Sequence, residues 1–121
     1  MNEQTFIAPE STIYRQVSDE LVVIQLDTGF FFYFSPETSA FLDFFRQART
    51  LADFLESIGL NESQASEKEY IHVFIEFLTS HQIIIRTDFP SHGPLTHFSY
   101  CRPVFYRKGE RVLDEVAFLC P

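Results

Sequence analysis

The sequence predicts an α+β domain, a three-stranded antiparallel meander followed by three helices, and three observations predict it. Short apolar runs separated by turn residues fill the first third of the chain. Helix-start signals punctuate the middle: Ser35-Pro36-Glu37, Thr50 with Asp53, and Ser66 with Glu69. With 121 residues the chain has room for one modest core, placed in residues 1–87, with a tail over 88–121.

Met1 to Ser11 reads as a polar lead-in, with Phe6 and Ile7 laid on the surface and Pro9 interrupting any pairing. Ile13–Val17 is the first strand, Ser18-Asp19-Glu20 a turn, and Leu21–Leu26 the second strand. Asp27-Thr28-Gly29 suits a three-residue hairpin loop with a left-handed last position, leading into Phe30–Phe34. That loop sets Leu26 opposite Phe30, Ile24 opposite Phe32 and Val22 opposite Phe34, all on the buried face. Phe31 and Tyr33 then fall on the thinner, wetter face beside Gln25 and Val23, where two large aromatics point to something docking.

Ser35 caps the first helix with Pro36 at its first position, Phe41, Leu42, Phe44, Phe45 and Ala48 recur at helical spacing, and Arg46 and Arg49 sit where a helix C-terminus favours positive charge. Thr50 and Asp53 start a short second helix that Gly59 stops. Ser66 and Glu69 start a third carrying Tyr70, Ile71, Val73, Phe74, Ile75, Phe77 and Leu78. Those positions sweep an arc of roughly 200°, wider than one core contact requires, opposite His72, Glu76, Thr79 and Ser80. The third helix therefore has two apolar jobs. Ile83-Ile84-Ile85 closes the unit as a short β-like segment.

The net charge is −8, and it is unevenly placed. Acidic residues clearly outnumber basic ones up to Thr87, whereas the tail is balanced and holds Arg102, Arg107, Lys108 and Arg111. Such a body repels phosphate backbones, so no nucleic-acid partner is expected. No apolar run approaches the ~20 residues of a membrane span, and the polar start is no secretion signal, so the expectation is a cytoplasmic protein with no membrane partner. Cys101 and Cys120 read as free thiols. His92, His97, Cys101 and Cys120 lack metal-ligand spacing, His72 and His81 lack a nucleophile or paired carboxylate, and no glycine-rich phosphate loop exists. The expectation is a protein that is not an enzyme and uses no metal or cofactor.

Tyr33-Phe34-Ser35-Pro36-Glu37-Thr38-Ser39-Ala40, then Thr50-Leu51-Ala52-Asp53-Phe54-Leu55 and a last helix ending in Ile83-Ile84, resemble the PqqD-like family, also called RiPP recognition elements. The resemblance spans about Ser11 to Arg86. Tyr33, Thr38 and Ala40 fit the family's pattern. Phe34 and Ser35 stand for its leucine and asparagine, Ala48-Arg49 for its Asp-Gly before helix two, and His81-Gln82 where a glycine usually follows the last helix. The resemblance implies a winged-helix-like fold and a non-catalytic module that binds the leader segment of a ribosomally made precursor peptide. Its partners would be that leader and a modifying enzyme or leader peptidase, with homo-oligomerisation left open. The leader would add as a strand to Phe30–Phe34, in a groove walled by the third helix. Phe30, Phe31, Phe32, Tyr33 and Phe34 with Tyr70, Phe74 and Phe77 would line it, and the strand edge must be open to a guest. Against this stand a winged-helix transcription regulator, favoured by helix order and opposed by charge, and a structural accessory subunit whose rings are simply core.

Two readings of the tail remain. Phe98–Tyr106 and Val112–Leu119 around Arg107-Lys108-Gly109-Glu110 pattern as a hairpin. Alternatively, Tyr100, Pro103, Phe105 and Gly109 match the spacing Tyr-x-x-Pro-x-Leu-x-x-x-Gly, which resembles the leader motif of lasso-peptide systems, with Glu115 at the place of a threonine. The tail would then dock in the module's own groove, or a neighbour's, and compete with a leader. Deleting Asp88 to Pro121 would tighten peptide binding.

Overall fold

The computed structural model describes residues 4–60, 64–95 and 97–109. They form an α+β structure with three helices and two antiparallel sheets. The meander is β2 (Thr12–Val17), β3 (Glu20–Gln25) and β4 (Phe30–Phe34), and a fourth strand, β7 (Phe105–Gly109), lies on the far side of β4. Helices α1 (Thr38–Phe44), α2 (Leu51–Ser57) and α3 (Ala65–Ser80) follow the meander. The second sheet places β1 (Thr5–Ile7) between β5 (Arg49–Thr50) and β6 (Ile85–Thr87).

The β3–β4 register is one residue away from the expected one. Gln25 pairs with Phe30, Ile24 with Phe31, Val23 with Phe32, Val22 with Tyr33 and Leu21 with Phe34. The connection therefore has four residues, Leu26 to Gly29, and Leu26 is half exposed instead of buried. The Gln25 side chain explains the difference. Its Oε1 accepts from the backbone of Asp27 and Thr28, Gly29 N donates to Gln25 O, and Gly29 takes a φ of 79°. Its Nε2 donates to Ser11, Thr12 and the Gln82 carbonyl, so this fully buried amide is hydrogen-bonded throughout. A one-residue slip exchanges the faces of a strand. Leu21 and Val23 thus join Phe32 and Phe34 in the main core, while Val22 and Ile24 pack with Phe31 on the other face.

Phenylalanine builds the main core. Phe41 lies 4.5 Å from Phe54 and 5.2 Å from Phe74 between ring centroids, and Phe45 stacks on Phe54 at 5.8 Å. Such edge and offset contacts add to the apolar area that the rings bury.

The helix ends differ in part from their signals. Ser35 does not cap α1: Ser35–Thr38 is a turn, α1 begins after Glu37, and it ends at Phe44 before reaching Ala48. Arg49 lies in β5 instead of at a helix end, with its guanidinium donating to the carbonyls of Gly93 and Pro94. Arg46 reaches the carbonyls of Pro9 and Thr12 and lies over Tyr14. The Thr50–Asp53 capping box forms as the sequence predicts, and Gly59 follows α2 with a φ of 72°. The Ser66–Glu69 box does not form, because α3 starts at Ala65. The lead-in is more than surface decoration, since Phe6 is buried and its strand is central in the second sheet. Ile83 and Ile84 are buried before a strand that begins at Ile85. No helix among the described residues is long and apolar enough to cross a membrane.

Candidate functional site

The edge of β4 away from β3 and the adjoining face of α3 form a cleft, and the chain's own tail runs through it. From β6 the backbone pairs Ser91 N with Ala48 O and Phe98 N with Ser57 O, and sets the Phe98 ring against Phe44 and Phe54. It then follows the first turns of α3, where Tyr100 Oη donates to Glu67 Oε2 at 2.6 Å and the Tyr70 hydroxyl donates to the Pro103 carbonyl. Ser35 grips Val104 twice: Ser35 N donates to Val104 O at 2.7 Å, and Val104 N donates to Ser35 Oγ at 2.9 Å. The hydroxyl expected to cap a helix instead holds the tail.

Beyond Val104 the tail becomes β7, antiparallel to β4. Phe34 pairs with Phe105, Tyr33 with Arg107, Phe32 with Lys108 and Phe31 with Gly109, with Tyr106 left over as a bulge between the first two pairs. The strand edge expected to be open is therefore filled from within. The turn expected from Arg107 does not begin there, because Arg107-Lys108-Gly109 is strand. The second arm of the expected hairpin, Val112 to Leu119, lies outside the described residues, as do Glu110, Arg111, Glu115 and Cys120.

The eight proposed groove residues divide by exposure. Phe31, Phe32, Phe34 and Phe74 are buried, whereas Phe30, Tyr33, Tyr70 and Phe77 are half-buried and meet the tail. Phe105 enters between Phe34, at 5.5 Å, and Phe77, at 4.7 Å. The second apolar job of α3 is this wall: Ile71, Phe74, Ile75 and Leu78 face the core while Tyr70 and Phe77 face the tail. Val73, counted in the same arc, is 53% exposed. Phe31 is wholly buried and not on a wet surface, whereas Tyr33 on the same face is only half-buried.

All four motif positions of the tail have a structural use. Tyr100 reaches Glu67, Pro103 is buried, Phe105 fills the cleft, and Gly109 passes so close to β4 that a Cβ there would sit 3.1 Å from Phe31 Cβ. Sequence reasoning missed the charged partners on the body. Arg102 pairs with Glu67 and lies 4.3 Å over the Tyr70 ring, while Arg107 pairs with Glu20 and lies 3.9 Å over Tyr33. Lys108 Nζ sits 4.0 Å over Phe30. The basic cluster in the tail facing an acidic body was the signal that could have found them.

These contacts shift the titrating groups in consistent directions. Hydrogen bonds from Arg102, then from Tyr100, hold the Glu67 carboxyl below its usual 4.5, and Arg107 does the same for Glu20. Burial and the bond to Glu67 push the Tyr100 phenol up. His81, packed against Phe32 and Phe77, is lowered from 6.5 by burial and then by the Lys108 charge.

A cavity of about 460 Å³ lies between α1 and Pro94, Leu95 and Phe98, beside Arg46 and Arg49. No protein family, curated protein or solved structure matches the chain.

Proposed function

We propose that this protein is a non-catalytic peptide-recognition module of the PqqD-like kind, with a winged-helix-like arrangement. It would take the leader of a ribosomally synthesised precursor as an added strand on β4 and present it to a modifying enzyme or leader peptidase. One observation carries the reading: an extended segment with leader-like spacing is seated antiparallel on β4, its aromatic ring held between that strand and α3. Edge pairing supplies hydrogen bonds that ignore sequence, and the Phe34–Phe77 slot supplies side-chain preference. A module apart from the chemistry holds one end of a substrate while the rest stays free, which raises its local concentration at the enzyme.

In this reading the tail is an internal occupant and a leader must displace it. Deletion from Asp88 is a poor test, since it also removes Ser91 and Phe98, which pack on the body. Removal from Arg102 onward leaves those anchors in place. The shortened chain should bind a Tyr-x-x-Pro-x-Leu-x-x-x-Gly peptide more tightly than the full chain, with amide shifts along Phe30–Phe34 and Tyr70–Leu78. Absence of those shifts in the folded, shortened chain would sink the reading. The accessory-subunit alternative is favoured by one fact, that β4 has no open edge among the described residues. It requires hydrogen exchange at Tyr33 and Phe34 to be as slow as at Val22 and Ile24.

A further inference from the structure

The peptide-binding reading leaves open what the groove selects, and the seated tail bears on that. Strand pairing cannot discriminate, and Phe105 in its slot specifies one bulky apolar residue. The charged contacts are more particular. Glu67, in the first turn of α3, receives Arg102 Nη2 at 2.7 Å and Nε at 3.2 Å, and the guanidinium covers Tyr70. Glu20, at the start of β3, takes both terminal nitrogens of Arg107, and that guanidinium covers Tyr33. Each seat is a carboxylate next to an aromatic face. This suits the planar fork of arginine, which can donate two hydrogen bonds to a carboxylate and stack at once, better than the compact ammonium of lysine. Both seats belong to the body, Glu67 at the start of α3 and Glu20 at the start of β3, and one segment fills both. An isolated surface ion pair means little. Two seats of the same construction flanking one slot form a pattern. The segment from His97 to Gly109 carries Arg102, Arg107 and Lys108 and no carboxylate, against a body in which acids prevail.

We infer that the groove selects an extended peptide bearing one arginine ahead of its slot-filling apolar residue and another behind it, and that Glu67 and Glu20 are the specificity-determining residues that read them. The ligand class is thus an arginine-bearing leader segment with a bulky apolar anchor, and acidic segments are refused. This rests on the peptide-binding reading, and the test separates the two.

The probes are a labelled peptide of residues 97–109 with serine at the cysteine position, and the same peptide with glutamate at both arginine positions. The proteins are the full chain carrying R102E/R107E and the full chain carrying E20R/E67R. In both, like charges loosen the internal tail and leave the buried core untouched. The first chain should prefer the arginine peptide by roughly ten-fold or more, and the second should invert that preference. Added salt should shrink both differences. Binding of both peptides by both chains within two-fold would overturn the selectivity while leaving a strand-adding groove. Binding of neither peptide by chains with native circular dichroism would overturn the groove as well. If the arginine substitutions prevent folding, E20Q/E67Q serves, and an unchanged preference there overturns the inference.

Discussion

β4 has two neighbours, and they are built differently. Toward β3 it makes five consecutive pairs without interruption, and every β3 residue from Leu21 to Gln25 is buried. Toward β7 the ladder is broken by a bulge at Tyr106, and Tyr106, Arg107 and Lys108 are exposed. The β3 side is held by apolar burial and a saturated amide network, the β7 side by one half-buried ring, the two Ser35–Val104 hydrogen bonds and charges over aromatic faces. Burial binds a strand into the cooperative core, whereas exposed charges and a single ring make a contact that opens at low cost. On the proposed reading the same strand has a permanent partner and an exchangeable one.

The sharpest way to break that contrast is Phe34→Ala. This ring is wholly buried and touches both sides, with Phe74 at 5.8 Å and Phe105 at 5.5 Å, so the substitution should remove about 3–5 kcal/mol of global stability and release the tail together with the fold. Chemical denaturation checks the loss. Phe105→Ala should behave otherwise. It should weaken tail docking by about 1–2 kcal/mol, the share of a half-buried ring, with the main unfolding transition little changed and β7 amides exchanging faster. A single shared transition for both variants would make the two sides equivalent.

Gln82→Gly sharpens the comparison from the β3 side. Gln82 has a φ of 62°, a left-handed value that suits glycine, and its carbonyl accepts from Gln25. Glycine keeps that carbonyl and relieves the backbone, so stability should rise by about 1 kcal/mol with tail release unaffected, as thermal melts and exchange rates would report.

The smallest effects are those of pH. Glu67 and Glu20 titrate below 4.5 when the tail is docked, so their contribution is fully present above 4.5 and is lost as pH falls through the lowered values. His81 is lowered from 6.5 by burial and then by the Lys108 charge, so its protonation, beginning as pH drops below 6.5, opposes the folded packing and, through Lys108, docking. Amide signals of Tyr33 and Arg107 should therefore move toward released positions in acid, in two steps, before the core unfolds. Tail signals that stay constant down to acid unfolding would remove electrostatics from the account.

Local chemistry was legible wherever it acted over a few residues. The meander, the order of three helices, the Thr50–Asp53 box and the stop at Gly59 all follow from turn residues and apolar spacing. The arc on α3 announced a second contact, and the spacing of Tyr100, Pro103, Phe105 and Gly109 offered the tail as its occupant. What misled was a buried glutamine. Gln25 looks like a surface residue, yet its amide closes a four-residue turn and bonds a carbonyl from beyond α3, and that shifts the register by one. Ser35 looked like a cap because nothing near it in sequence reveals Val104.

Residue types and their short-range spacing were enough to determine the class of fold, the wide face of α3 and the acidic character of the body, because propensity, capping and periodicity are settled between near neighbours. Which side of β3 faces inward, the place of β1 inside a sheet, and the seating of Arg102 and Arg107 on Glu67 and Glu20 were decided only when distant segments met. Hydrogen bonds and ion pairs between residues far apart in the chain leave no periodic trace in it.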